Sequence, residues 1–199
     1  MKKVMMGAIL LLVLGWTVFD TLYADQKQEA AQERNEGSLH ELVVATDTEE
    51  QPAEAESVGL AYGDIAPDFK LATLSGEEIT LSDLRGKKVI LNIWASWCPP
   101  CRAEMPDMQQ FYEEYQDEVE ILAVNLFESE ASLESVKRFV EEYELTFPVL
   151  LDENSEVAAK YQALTIPTSY VIDSNGVIQH KMVGPMSYDW MKNATSKLE

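Results

Sequence analysis

Cysteine is scarce in this chain: there are two among 199 residues, Cys98 and Cys101, three positions apart. That excludes a small fold stapled by several disulfides, whose cysteines would be spread along the sequence. Histidine is equally rare, with only His40 and His180. A structural zinc site takes about four ligands. Only those two histidines could join the cysteine pair, so no metal site is expected. Positive charge is short as well: 15 Lys and Arg stand against 35 Asp and Glu, a formal net charge of −20. Such a surplus repels phosphates and argues against nucleic acid as a partner. Aromatic residues are missing from Ala24 to Ala61, and no internal repeat is evident.

The first residues do have a long apolar run. Val4 to Phe19 carries no charge, with Lys2 and Lys3 before it and Asp20 and Asp25 after it. Lysines on that flank place it on the cytoplasmic side and the rest of the chain outside. Residues 1–23 therefore read as a membrane anchor, slightly short for a spanning helix unless Thr21 to Tyr23 extend it. The rival reading is a cleaved signal peptide ending near Leu22-Tyr23-Ala24. Residues 24–60 read as an acidic, disordered tether. Between Asp25 and Val58 ten acids face two bases, a net of −8, and such a segment cannot bury enough apolar surface to offset its ordering entropy. A flexible chain of that length spans roughly 30 Å; it would let a domain sweep the membrane surface or serve as a plain spacer.

Residues 61–199 read as one α/β domain. Phe69 to Leu74 and Ile79 to Leu81 alternate at period two around Ser75-Gly76, a hairpin pattern. Val89 to Trp94 is nearly continuous apolar sequence, as in a strand covered on both faces. A helix opens at the cysteines and runs to about Tyr115, with Pro106 as a kink and Glu113, Glu114, Asp117 and Glu118 as a solvated face. A strand over Val119 to Phe127 follows, then a helix carrying Leu133, Val136, Val140 and Tyr143. A short strand, Pro148 to Leu151, and a short helix, Glu156 to Tyr161, come next. Thr168 to Ile172 and Val177 to Val183 flank Asn175-Gly176, a strong hairpin signal. Ser187 caps a last helix ending near Leu198. Strands alternating with helices, then a closing hairpin and helix, predict a mixed central sheet flanked by helices.

The cysteines fall where a buried strand ends and a helix begins. Unpaired N–H groups and positive potential at a helix N-terminus favour a thiolate at Cys98, and thiolate character makes a cysteine a nucleophile and a leaving group. Pro99 and Pro100 suit the first helical turn, where a missing N–H costs least. Cys101, one turn on, is spaced to attack a mixed disulfide formed at Cys98. Covalent haem attachment requires C-x-x-C-H, and Arg102 follows Cys101 instead. A purely structural bridge would close too small a loop to stabilise much.

Trp94-Ala95-Ser96-Trp97-Cys98-Pro99-Pro100-Cys101 resembles the active-site segment of the thioredoxin superfamily, and Thr165-Ile166-Pro167-Thr168 is similar to its cis-proline loop. Within that superfamily, residues 63 to 198 most resemble the membrane-anchored TlpA/ResA-like thiol–disulfide oxidoreductases of bacterial envelopes, a branch related to the redoxins. Gly63 to Phe69 and Leu81 to Lys87 match their N-terminal hairpin region, Ala131 to Leu151 their central αβ insertion, and Glu104 their active-site glutamate. Cytoplasmic thioredoxins carry a buried Asp where Asn92 stands. The peroxidase pattern P-x-x-x-T/S-x-x-C is broken at Leu91 and Ala95.

The resemblance implies a thioredoxin fold and an enzyme whose only redox group is the Cys98–Cys101 pair, with no added cofactor. It implies Cys98, Cys101 and Glu104 as catalytic residues and a substrate contact at Ile166 and Pro167, with Trp97 either beside them or, like Trp94, a packing residue. Glu104 has a second reading as an ordinary solvent-exposed acid. The implied substrates are disulfides of envelope proteins, apocytochrome c first, with cell-wall or spore-envelope proteins, net oxidation, or a non-enzymatic peptide-binding module as alternatives. The implied electron donor is a membrane thiol carrier of the DsbD/CcdA type.

Overall fold

The continuous apolar run 89–94 becomes the middle strand of a sheet because both its faces are covered. In the computed structural model, which describes residues 57–198, five strands lie in the order β5-β4-β3-β6-β7. They are β3 Lys88–Trp94, β4 Val119–Asn125, β5 Val149–Leu151, β6 Thr168–Ile172 and β7 Ile178–Val183. β3–β4 and β4–β5 are parallel, whereas β3–β6 and β6–β7 are antiparallel. The parallel pairs are joined through helices α1 (Pro99–Tyr115) and α2 (Leu133–Glu142); α3 (Glu156–Lys160) precedes β6, and α4 (Tyr188–Thr195) ends the fold. This is the mixed α/β architecture the patterning predicts.

Period two along β3 divides its side chains between two cores. Ile90 and Trp94 join Met105, Met108, Phe111, Met191 and Ala194 from α1 and α4. Val89, Leu91 and Ile93 join Phe69, Leu81, Val157 and Tyr161 on the other face. Asn92 shares parity with Ile90 and Trp94, so it points toward the α1 side.

The hairpin is shorter than the alternation suggests: β1 Lys70–Ala72 pairs antiparallel with β2 Glu78–Thr80. Thr73 stays at the turn, its N–H donating to the Glu77 carbonyl at 2.7 Å, and also meets the sheet edge, while Leu74 leaves the hairpin for that edge. Thr73 bridges Leu150, and the Leu74 N–H donates to the Val149 carbonyl. β4 likewise stops at Asn125 rather than Phe127. The Leu126 N–H donates to the Trp94 carbonyl, and Phe127–Ser129 closes a single 3-10 turn. Helix α1 runs through Pro106 as one element. Asn175-Gly176 forms the β6–β7 turn; Gly176 has φ +85°, and Asp173 accepts the Asn175 and Val177 N–H groups.

The expected anchor (1–23) and most of the expected tether lie outside the described residues. The tether's last four residues do not. Val58 bridges Ile65, Ile65 bridges Val177, and Leu60 packs on the second core. Val58 and Leu60 bring apolar side chains and backbone partners that a count of acids overlooks. No helix among the described residues is long and apolar enough to cross a membrane.

The insertion helix α2 is fastened beside the cysteines by Phe139. It is buried, tilts against Trp94 at a 4.8 Å centroid separation and stacks on Tyr143 at 4.5 Å. Truncating such a ring leaves a cavity that the packed surroundings fill only in part. Phe139→Ala should therefore lower the unfolding free energy by about 3–5 kcal/mol in urea titrations; a loss under about 1 kcal/mol would mean the insertion is not integral to the core.

Candidate active site

Sequence order at the strand–helix junction builds the centre. Cys98, with extended φ −85° and ψ 114°, is the N-cap of α1; Pro99 and Pro100 occupy its first turn. Neither proline has an N–H to donate, so the first free amide is that of Cys101, which donates to Cys98 Sγ at 3.3 Å. A sulfur thus takes the role that a Ser or Asp oxygen usually takes at an N-cap. Cys98 and Cys101 are joined in a disulfide with their Cα atoms 5.3 Å apart. Cys98 is only 2% exposed and Cys101 is fully buried, so exposure separates the two sulfurs less than their order along the helix does. The cis Ile166–Pro167 bond brings the Ile166 carbonyl oxygen to 3.7 Å from Cys98 Sγ.

The two tryptophans part company. Trp94 is wholly buried and is a packing residue, while Trp97 is 56% exposed next to Cys98. Leu164, 96% exposed, and Val183, which pairs with Thr168 across β6–β7, add apolar side chains along the Pro167 loop.

Glu104 is not a solvent-exposed acid. It is 1% exposed, accepts from Asn92 Nδ2 at 2.9 Å through Oε1 and from the Met186 N–H at 2.9 Å through Oε2. Burial pushes its pKa up to about 7, against the opposing pull of the Met186 and Asn92 hydrogen bonds. Desolvation is thus the cause of the raised value in the disulfide form. Asn92 also donates to Ser169 Oγ at 2.9 Å, and its own Oδ1 is buried without a hydrogen-bond partner. Sequence alone shows Asn92 as the absence of an acid. In the fold it is the partner of an acid supplied by the facing helix.

One more carboxylate reaches the cysteine loop, and nothing in the sequence marks it. Glu130 follows the 3-10 turn after β4. It accepts from the Ser96 N–H at 2.6 Å, from Ser96 Oγ, and from Asn125 Nδ2 at 2.9 Å. Among the described residues no group of His, Cys, Asp and Glu is arranged to hold a metal ion.

A thioredoxin-type sheet with a cysteine pair capping the helix after its central strand, opposite a cis-proline loop, is the architecture of thiol–disulfide oxidoreductases, and this chain is one. Residues 62–181 match the AhpC/TSA family, to which the chain belongs. It is similar to the thioredoxin-like protein YneN of Bacillus subtilis, at 37% identity over 94% of this chain and 93% of that one. It is also similar to the thiol–disulfide oxidoreductase ResA of Geobacillus kaustophilus, at 44% identity over 66% and 75%. Among solved structures, StoA from Bacillus subtilis aligns at a TM-score of 0.59 and 38% identity, covering 65% of this chain and 96% of that one. A thiol:disulfide interchange protein of the thioredoxin family from Chlorobium tepidum aligns at 0.61 and 28%, covering 71% and 98%.

The raised pKa of Glu104 has a consequence for stability. The folded protein holds this proton up to about pH 7, whereas an unfolded chain releases it near the ordinary value of 4.5. In that window the native state binds more protons, so this group makes stability fall as pH rises from about 4.5 to about 7. Each pH unit between the two titration midpoints is worth roughly 1.4 kcal/mol, which makes the contribution about 3 kcal/mol. Glu104→Gln should flatten this part of the pH dependence in denaturant titrations of the oxidised protein. An unchanged slope would mean that Glu104 is ionised throughout.

Proposed function

We propose that this chain is a membrane-anchored, extracytoplasmic reductase of protein disulfides. The observation that carries the reading is a cysteine pair capping a helix, with a buried carboxyl three residues further on that titrates near neutral pH. Cys98 thiolate attacks a substrate disulfide, one substrate sulfur leaves, and a mixed disulfide forms on Cys98. Cys101 then loses its proton to Glu104 and attacks Cys98 Sγ, releasing the second substrate sulfur and closing the Cys98–Cys101 disulfide. Two electrons pass to the substrate, whose thiolates take up protons. Pushed up to about 7, Glu104 accepts a proton at neutral pH more readily than a carboxylate of ordinary pKa. In the reverse exchange, re-reduction by a membrane dithiol carrier of the DsbD/CcdA type restores the pair, and no cofactor beyond it is required.

Substrate recognition falls to exposed Trp97 and to the Ile166–Pro167 loop. The Ile166 carbonyl lies beside the reacting sulfur and offers an acceptor to an extended peptide. The resemblance to TlpA/ResA-like proteins favours apocytochrome c, whose haem-binding cysteines must be reduced before attachment. A second reading has a specific support: the sporulation thiol–disulfide oxidoreductase A of Bacillus subtilis is 38% identical over 65% of this chain and 78% of its own, which favours a spore-envelope protein.

Cys101→Ser stalls the reaction at the mixed disulfide and identifies the substrate. Capture of an apocytochrome c on Cys98 supports the first reading; capture of a spore-envelope protein replaces it with the second. Wild-type protein that fails to reduce insulin would overturn the reductase altogether. The location rests on Lys2 and Lys3 ahead of the apolar run. Protease added to intact protoplasts should digest the domain, and protection would reverse the orientation.

A further inference from the structure

The segment leading into Cys98 is tied to the segment after β4 by four hydrogen bonds. The Trp94 carbonyl accepts from the Leu126 N–H at 2.9 Å. Ser96 gives both its N–H and its hydroxyl to Glu130, and its carbonyl accepts from Arg102 Nη1 at 3.4 Å. Trp97 Nε1 donates to Ser129 Oγ at 3.2 Å, and that hydroxyl donates to the Leu126 carbonyl at 2.7 Å. Glu130 is the hub, because Asn125, fully buried at the end of β4, also donates to it. One half-buried carboxylate therefore fixes the backbone two residues before the reacting sulfur.

We infer that Glu130 is a positioning residue of the redox centre, holding the Ser96–Trp97 segment in place while its charge opposes the thiolate form of Cys98. Through the Cys98 N–H bond to the Ala95 carbonyl at 3.2 Å and the Ser96 N–H bond to Glu130 at 2.6 Å, the carboxylate lies within about 12 Å of Cys98 Sγ. A like charge at that range still disfavours a thiolate, by an amount that falls as salt is added. In thiol–disulfide exchange, disfavouring the thiolate favours the disulfide and makes the protein a stronger reductant. The other charged groups around the pair are Glu104 and Arg102 on α1 and Glu142 on α2, which pairs with Arg102 at 3.1 Å. Glu128 is engaged by Ser155 Oγ at 2.8 Å. The loop Thr165-Ile166-Pro167 and the segment Gly184-Pro185-Met186 bring no ionisable side chain. Glu130 is therefore the acid anchored directly to the cysteine loop from outside α1.

The inference rests on the reading of Cys98 as the attacking thiol. Its test is the pH dependence of Cys98 alkylation in the reduced full-length protein, together with the equilibrium of the pair in glutathione buffers. Glu130→Gln keeps an acceptor for Ser96 but removes the charge. It should lower the alkylation midpoint by about 0.3 to about 1 pH unit and shift the glutathione equilibrium toward the dithiol. Ser96→Ala keeps the charge and removes one hydrogen bond. It should leave the midpoint unmoved while insulin reduction slows about threefold. If Glu130→Gln matches the wild type in both measurements, or if Ser96→Ala shifts the midpoint equally, the charge role is overturned. Wild-type protein labelled first at Cys101 would instead overturn the assignment of Cys98, an outcome separate from both.

Discussion

The helix that starts at Cys98 has to satisfy its first amides, and the chain offers a sulfur to do it. Two prolines remove the donors next to Cys98, so the Cys101 N–H is the first that can point at Sγ, and it does. A neutral oxygen cap contributes about 1 kcal/mol, and sulfur is a weaker acceptor. A charged cap gains a further ~0.3–1 kcal/mol from the helix dipole. The same local geometry that begins α1 therefore favours negative charge on that sulfur. It holds only if β3 delivers the chain to one place, which the burial of β3 on both faces and its pairing with β4 and β6 ensure.

Around that junction two carboxyl groups sit in contrasting settings. Glu104 is sealed on the inner side, with one hydrogen bond to each oxygen, and desolvation dominates its titration. Glu130 lies nearer the surface and takes three donors. The inner one is suited to taking and returning a proton. The outer one is suited to holding a loop. Environment rather than residue type separates the two roles.

The Pro167 side of the centre is built differently, from backbone and apolar surface. The Ile166 carbonyl, the Pro167 loop and the end of β7 lie together because β6 pairs with both β3 and β7. The Gly184 N–H donates to the Pro167 carbonyl at 2.8 Å, and two residues later the Met186 N–H donates to Glu104. A single short segment thus touches both the Pro167 loop and the buried carboxyl. Trp97, Leu164 and Val183 leave exposed apolar side chains on this face.

Much of this is legible in the sequence. Period two in residues 89–94, helical spacing in the insertion, Asn-Gly between two short strands, and a cysteine pair after a buried run each report a local preference that the fold obeys. Cys98, Cys101 and the Pro167 loop can be named for the same reason: their chemistry depends on neighbours close in sequence or on a motif of fixed form. The local pattern misplaces strand ends at Leu74 and Leu126, where hydrogen bonds from distant strands outweigh it. The state of Glu104, its union with Asn92 across 12 positions, and the hold of Glu130 on Ser96 across 34 are not legible. Resemblance marks the position of Glu104 but not its burial, and nothing distinguishes Glu130 among the 35 acids of the chain. Only the packing of α1 on the sheet removes water from one of them, and only the turn after β4 brings another to the cysteine loop, because desolvation and charge–charge distance are properties of the folded chain.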